Sequence, residues 1–367
     1  MKPPLKAALA AVCASFIFFT LAAEPPLGLP PVPVPAANPP TPEKVRLGEK
    51  LFNDQRFSST GEVSCASCHD PNRAFTDSPF VTSEGINKLT GTRNAPSIIN
   101  AAYYGSLFWD GRSPTLEDQV RHPFVNPVEM GLPDHGPVLE VVRSDPEYLV
   151  LFRAAFQKEP SQITMLEVQQ AIASFERTVV SGDSAFDRWY FGGVEDAISE
   201  QAKRGFDVFR NRGRCVTCHL IEQDQALFTD NRFHNNGAGR IQEAGAKLAR
   251  TFLEAKARGA SVDKAVLASP TFSELGRFVV TEAPGDLGAF KTPTLRNVAV
   301  TAPYMHDGSL ETLRAVVEHY NNGGVARKGD SASEFLSDEI RPLDLTEEEI
   351  TALIAFLQTL TSPQFIR

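Results

Sequence analysis

The sequence predicts an all-α protein built of two tandem, related helical domains. Three observations lead there. One short motif occurs twice, as Cys65-Ala66-Ser67-Cys68-His69 and Cys215-Val216-Thr217-Cys218-His219. A longer segment repeats without a gap. Residues 96–116, PSIINAAYYGSLFWDGRSPTL, align with 293–313, PTLRNVAVTAPYMHDGSLETL, so that Asn100 meets Asn297, Asp110-Gly111 meets Asp307-Gly308 and Thr115-Leu116 meets Thr312-Leu313. Each half also closes on an amphipathic helix, with Ile172-Ala173-Ser174-Phe175 corresponding to Leu353-Ile354-Ala355-Phe356. Self-similarity on this scale is the mark of a tandem duplication.

From the amino terminus, Met1-Lys2-Pro3-Pro4-Leu5-Lys6 is basic, Ala7 to Ala22 is apolar, and small residues close the run at Ala22-Ala23. That is the layout of a secretory signal over residues 1–23, short for a membrane span. Cys13 would leave with it. Residues 24–42 hold nine prolines and read as a polyproline-type linker or arm outside the core. Residues 43–367 exceed one small domain and divide into 43–185 and 186–367. Residues 1–23 carry Lys2 and Lys6 and no acid, so their loss takes the formal charge from −9 to −11. An acidic surface argues against nucleic acid and suits a basic or mixed protein partner. No stable membrane insertion is expected once the signal is removed.

Each repeated motif reads C-x-x-C-H, the attachment site of a c-type haem. Two thiols add to the two vinyl groups of one porphyrin, and the adjoining histidine ligates the iron from the same face. The alternatives are two redox dithiols or one four-thiol zinc site, and zinc would have to ignore both histidines. Cys65, Cys68 and His69 thus hold one haem, and Cys215, Cys218 and His219 the other. Each domain becomes a cytochrome c-like helical unit enclosing its haem. Gly48-Glu49-Lys50-Leu51-Phe52 and Gly205-Phe206-Asp207-Val208-Phe209 read as the last turns of the helices that lead into the motifs. Thr346, with Glu349 three residues on, predicts a capping box for the final helix. Haem attachment to cysteine occurs outside the bacterial cytoplasm, so motifs and signal agree on the periplasm.

The duplication allows the two haems to be compared. Continuing the gapless alignment places Tyr320 opposite Pro123. Tyr320 shares a predicted helical face with Leu313, Val316 and Val317, where the second haem would lie. Phenolate ligates iron and proline does not. From Asp70 to Arg121 there is neither histidine nor methionine. The first haem is therefore expected to be open on its distal side, unless His122, Met130 or a distant residue closes it. Met305 and His306 compete with Tyr320 for the second iron. His122, His135, His234 and His319 read as surface or packing residues.

These residues resemble the bacterial dihaem cytochrome c peroxidase family, and within it the MauG-like branch. The resemblance covers residues 43–362 and is most specific at the two C-x-x-C-H motifs, Arg93-Asn94-Ala95-Pro96-Ser97, Leu107-Phe108-Trp109-Asp110-Gly111-Arg112 and Thr301-Ala302-Pro303-Tyr304-Met305-His306-Asp307-Gly308. It implies a peroxidatic first haem, a second haem that relays or stores electrons, and one calcium ion at the domain interface. By the same resemblance Trp109 matches the tryptophan between the haems, Gln119 and Glu129 the distal-pocket pair, and Pro123 the pocket proline of the MauG branch. Asn94, Thr301 and Pro303 match the calcium ligands, and Tyr320 the axial tyrosine of MauG, where the peroxidases carry methionine. The peroxidases also place a histidine near Gly85-Ile86 that closes the first haem; this chain has Ile86. MauG has a surface tryptophan two residues before the second motif; this chain has Gly213, and its only tryptophans are Trp109 and Trp189.

Peroxide cleavage needs a base for the first proton and an acid for the departing oxygen, and Glu129 is the expected acid/base with Gln119 placing peroxide or water. The expected function is that of a periplasmic dihaem oxidoreductase. It would use hydrogen peroxide to oxidise a small electron donor, a cytochrome c or cupredoxin, or a residue on a protein substrate. The rival is a non-enzymatic dihaem electron carrier with both haems six-coordinate.

Overall fold

The computed structural model describes residues 24–239, 245–262, 266, 270–325 and 334–366. The expected signal, residues 1–23 with Cys13, lies outside the described residues.

The first half runs α1 (Pro42–Asn53), α2 (Cys65–Cys68), α3 (Leu116–Val125), α4 (Gly136–Ser144), α5 (Pro146–Phe156) and α6 (Met165–Glu176). The second runs α7 (Ala185–Tyr190), α8 (Glu200–Arg210), α9 (Gly245–Ala257), α10 (Leu313–Asn321) and α11 (Glu347–Gln358). Two short strands, β1 (Phe233–His234) and β2 (Phe290–Lys291), pair antiparallel with Phe233 opposite Lys291. Helix starts follow local chemistry. Thr115 and Thr312 cap α3 and α10 by accepting from Asp118 and Ala315, and Thr346 and Glu349 form the predicted capping box on α11. No described helix is long and apolar enough to cross a membrane.

In each half the helix entering the haem motif packs on the closing helix. Gly48 of α1 meets the carbonyl of Ala171 and the Cβ of Phe175 on α6; Gly205 of α8 meets the carbonyl of Ala352 and the Cβ of Phe356 on α11. A side chain at either glycine would overlap those backbone atoms. These two crossings match residue for residue. They anchor two apolar cores, one around Leu47, Phe52, Phe124 and Ile172, the other around Phe186, Phe209, Leu353 and Phe356. A third, smaller core holds Phe252, Leu275 and Phe278, in a segment of the second half that has no counterpart in the first.

The pseudo-symmetry extends to the backbone. Asn100 and Asn297 both have left-handed φ (62° and 63°), as do Gly111 and Gly308 (68° and 67°). Isolated bridges Leu107–Ser113 and Tyr304–Leu310 occupy equivalent places. The halves meet through these same asparagines. Ser181 donates its amide to Asn100 Oδ1, Ser362 donates its amide to Asn297 Oδ1, and the two serine hydroxyls bond each other at 2.6 Å.

The proline-rich segment departs from expectation. It does not hang free. Leu29 and Asn38 are buried. The Gly28 carbonyl accepts from Arg296 Nη2 (2.7 Å) and the Ala226 amide (2.9 Å), both in the second half. The Pro30 carbonyl accepts from Tyr103 Oη, and Asn38 donates to Glu117 and the Gln170 carbonyl, all in the first. The physical reason is that an extended proline-rich chain leaves most of its carbonyls unpaired within itself. Buried donors of both halves use them as acceptors.

Candidate functional site: two haem cavities with one wall

Each C-x-x-C-H motif opens into its own cavity. The first is lined by Cys65, Cys68 and His69, the second by Cys215, Cys218 and His219. The four sulfurs are thus divided between two sites, which removes the four-thiol zinc alternative. Burial pushes the Cys65, Cys68 and Cys215 thiols up, the opposite of a reactive dithiol. His69 Nδ1 lies 3.3 Å from the Phe75 carbonyl and His219 Nδ1 2.8 Å from that of Phe228. Burial lowers both imidazole pKa values, so each ring is neutral, donates from Nδ1, and keeps the Nε2 lone pair for iron. Two thiols, an oriented imidazole and an apolar slot fit a covalent haem in each cavity.

The distal walls differ as the duplication predicted. Leu116, Gln119, Val120 and Pro123 of α3 line the first cavity; Leu313, Val316, Val317 and Tyr320 of α10 line the second. Position for position in the repeat, Gln119 corresponds to Val316 and Pro123 to Tyr320. The first wall is completed by Asn126, Glu129 and Met130. Asn126 Nδ2 donates to Glu129 Oε1 at 2.5 Å. The loop carrying Glu129 is held on both sides, since the Ile86 amide donates to the Glu129 carbonyl and the Ser59 amide to that of Met130. Ile86 itself is buried in the first core, against Gly131. His122, one of the residues considered for closing this haem, is not among those lining the cavity, whereas Met130 is.

In the second cavity Asn236 Nδ2 lies 2.9 Å from Tyr320 Oη and 3.5 Å from Met305 Sδ. The two rival ligands therefore sit side by side. Burial pushes the Tyr320 phenol up to about 12, opposed by the Asn236 hydrogen bond. His306 also lines this cavity, but its ring stacks on Phe290 at 3.6 Å and its Nε2 lies 3.4 Å from Glu274. The reading of His234 as a surface or packing residue needs correction. It lines the second cavity and bonds Asp230 Oδ2 at 2.8 Å. Strand β1 turns it there, and nothing in its sequence neighbourhood signals that strand. His319 packs as expected, bonding the Asn236 carbonyl at 2.8 Å; His135 bonds the carbonyl of Arg121.

The cavities share a wall. Asn94, Ala95, Pro96, Tyr104, Trp109 and Lys291 line both. Trp109 is fixed there by its indole N–H on the Asn94 carbonyl (2.9 Å) and by its own carbonyl on the Lys291 amide (2.8 Å). Lys291, which the sequence did not single out, places Nζ 3.2 Å from the centre of the Tyr104 ring, and burial lowers it to about 7. Asn94, Thr301 and Pro303 all lie on the second cavity. The Asn94 amide group donates to the Phe80 and Val81 carbonyls, so Oδ1 is the atom it has to offer a cation. Behind the wall, Asp110 is fully buried between Arg93 (2.6 Å) and Arg112 (3.0 Å).

Two C-x-x-C-H cavities in related helical halves, sharing one tryptophan-bearing wall, define a dihaem c-type protein. The chain belongs to the di-haem cytochrome c peroxidase family, whose description matches residues 42–195. It is 39% identical over 329 residues to the methylamine utilization protein MauG of Methylorubrum extorquens, covering 90% of this chain and 81% of that one. It is 37% identical to cytochrome-c peroxidase IdrP1 of Denitromonas iodatirespirans, covering 97% and 92%. The crystal structure of a MauG-like protein associated with microbial copper homeostasis superposes with a TM-score of 0.75 at 34% identity, covering 93% and 97%. The protein is a peroxidase with two haem c groups.

Proposed function

We propose that hydrogen peroxide is bound and cleaved in the first cavity, and that the oxidising equivalents are shared with the second haem across Trp109. The observation that carries this is the paired distal wall, with Pro123 and Gln119 on one side and Tyr320 and Val316 on the other. Haem held by Cys65, Cys68 and His69 supplies the iron and the two-electron cleavage of the O–O bond. The residues do the rest. Gln119 orients peroxide by hydrogen bonding. Glu129, aligned by Asn126, takes the first proton and returns it to the departing oxygen as water. Pro123 offers no ligand and keeps the approach open. The balance is one peroxide, two protons and two electrons to two waters, with the electrons drawn from an external donor. Tyr320, with Met305 beside it as rival, is the residue that would bind the iron of a haem held by Cys215, Cys218 and His219.

We take the donor to be a small periplasmic cytochrome c or cupredoxin. Gly213 supports this over a large protein substrate. It is buried beside Cys215, and a side chain there would crowd the Val208 carbonyl, so the position cannot present the surface tryptophan that MauG has. A calcium ion held in part by Asn94, Thr301 and Pro303 would stiffen the shared wall, with waters completing its shell. The test is steady-state peroxide turnover with reduced small cytochrome c or cupredoxin as donor. Sustained turnover supports the reading. Peroxide-dependent modification of a co-purified protein, without turnover of soluble donors, would replace it with protein-substrate oxidation.

A further inference from the structure

We propose that Glu176 holds a proton beside the first haem and exchanges it with solvent as that haem gains or loses an electron. Glu176 ends α6, is 5% exposed and lines the first cavity. Its Oε2 is buried without a hydrogen-bond partner. The charges around it are committed elsewhere. Arg177 gives both terminal nitrogens to Glu117, at 2.7 and 3.0 Å. Lys44, on the packed helix α1, turns its ammonium to Asn38 and the Pro39 carbonyl. Glu117 on α3 is a like charge, and the nearby Cys65 sulfur becomes an uncharged thioether once haem is attached.

The duplication supplies the control. The matched glycine crossings align Ala171 with Ala352 and Phe175 with Phe356. They therefore align Glu176 with Leu357, which is buried and lines the second cavity. A carboxyl group faces one haem where a leucine faces the other. Burial raises the Glu176 pKa to about 8, opposed by Arg177 and assisted by Glu117, so the group sits between its two states near neutral pH. An electron added to the adjoining haem disfavours the carboxylate further. Reduction then takes one proton from solvent to form the carboxylic acid, and oxidation releases it and leaves a carboxylate as counter-charge.

The inference rests on a haem held by Cys65, Cys68 and His69, not on peroxide chemistry, so it is tested without peroxide. The two midpoint potentials of the holoenzyme are followed by spectroelectrochemistry from acid to alkaline pH. Around pH 8 the first haem's potential is expected to fall with a slope approaching one proton per electron, about 59 mV per pH unit. The second is expected to stay flat. Glu176→Gln should flatten the first and leave the second unchanged. A slope that survives in Glu176→Gln would overturn the proposal and assign the proton to another group, such as a haem propionate. Should that variant fail to load haem, the wild type still decides, because a flat first potential overturns the proposal by itself. Infrared difference spectra provide a second readout: the carbonyl stretch of a protonated carboxyl should appear on reduction.

Discussion

In the proposed reaction, peroxide chemistry depends on Glu129 and Gln119, which line the first cavity; in the second cavity the position aligned with Gln119 is Val316. Glu129→Gln keeps the Asn126 contact and the shape but removes the proton carrier. Its rate of reaction with peroxide, read by stopped flow, should fall by about 10²- to 10⁴-fold with the resting spectrum unchanged. An unchanged rate would show that Glu129 is only packed there. Tyr320→Phe removes the phenol oxygen from the second cavity, where Met305 already shares Asn236 with it. The ferric low-spin signal of the second haem should be lost or replaced, and its potential should rise if methionine takes over. A spectrum identical to wild type would assign the ligand to Met305 in the native protein. Glu129 and Gln119 were singled out by the family resemblance, and Tyr320 by that resemblance together with the internal alignment that sets it opposite Pro123. Asn236, His234 and Lys291 were not. Each reaches its cavity through β1, β2 or the turn beyond, and two-residue strands leave no periodic signal.

At the scale of elements, the two crossings at Gly48 and Gly205 fix where each haem motif emerges. Alanine at either glycine would drive Cβ into the facing carbonyl, and the helices would have to separate. Gly48→Ala and Gly205→Ala should each cost about 1–3 kcal/mol or more, seen as a lower thermal midpoint and poorer haem loading. Near-wild-type stability in both would mean that the crossings are loosely packed. The sequence revealed these helices through Gly48-Leu51-Phe52 and Gly205-Val208-Phe209, and it revealed the closing helices through their apolar stripes and the Thr346 cap. It did not reveal the third core around Phe252 and Phe278, which has no repeat partner to expose it. The proline-rich segment was misjudged for a different reason. Composition reports the conformation of residues 24–42, but the acceptors they offer to Arg296, Tyr103 and Lys44 depend on the folded halves.

For the whole molecule, the ion cluster behind the shared wall ties the halves together. Arg93 pairs with Asp110 and also donates to the Ser273 carbonyl, while Arg277 donates to the carbonyls of Asp110 and Gly111. Burial alone would raise the Asp110 pKa, but Arg112 and Arg93 outweigh it and hold the carboxyl at about 2, below its ordinary 3.8. A depressed folded pKa contributes stability that is fully present above 3.8 and is lost as pH falls through 2. Acid unfolding should therefore steepen between about pH 4 and pH 2. Asp110→Asn leaves two partly buried guanidinium groups short of their counter-ion and should cost about 3–5 kcal/mol, read as a lower urea midpoint. A variant with an unchanged midpoint and acid profile would show that the cluster does not hold the halves together.

In the proposed mechanism one haem is open to peroxide, the other is closed, and the two share oxidation through Trp109. Electron paramagnetic resonance of the ferric protein, before and after one equivalent of peroxide, tests it most directly. One high-spin and one low-spin haem are expected, both signals being lost together on peroxide addition. Two low-spin signals that ignore peroxide would contradict it and leave an electron carrier.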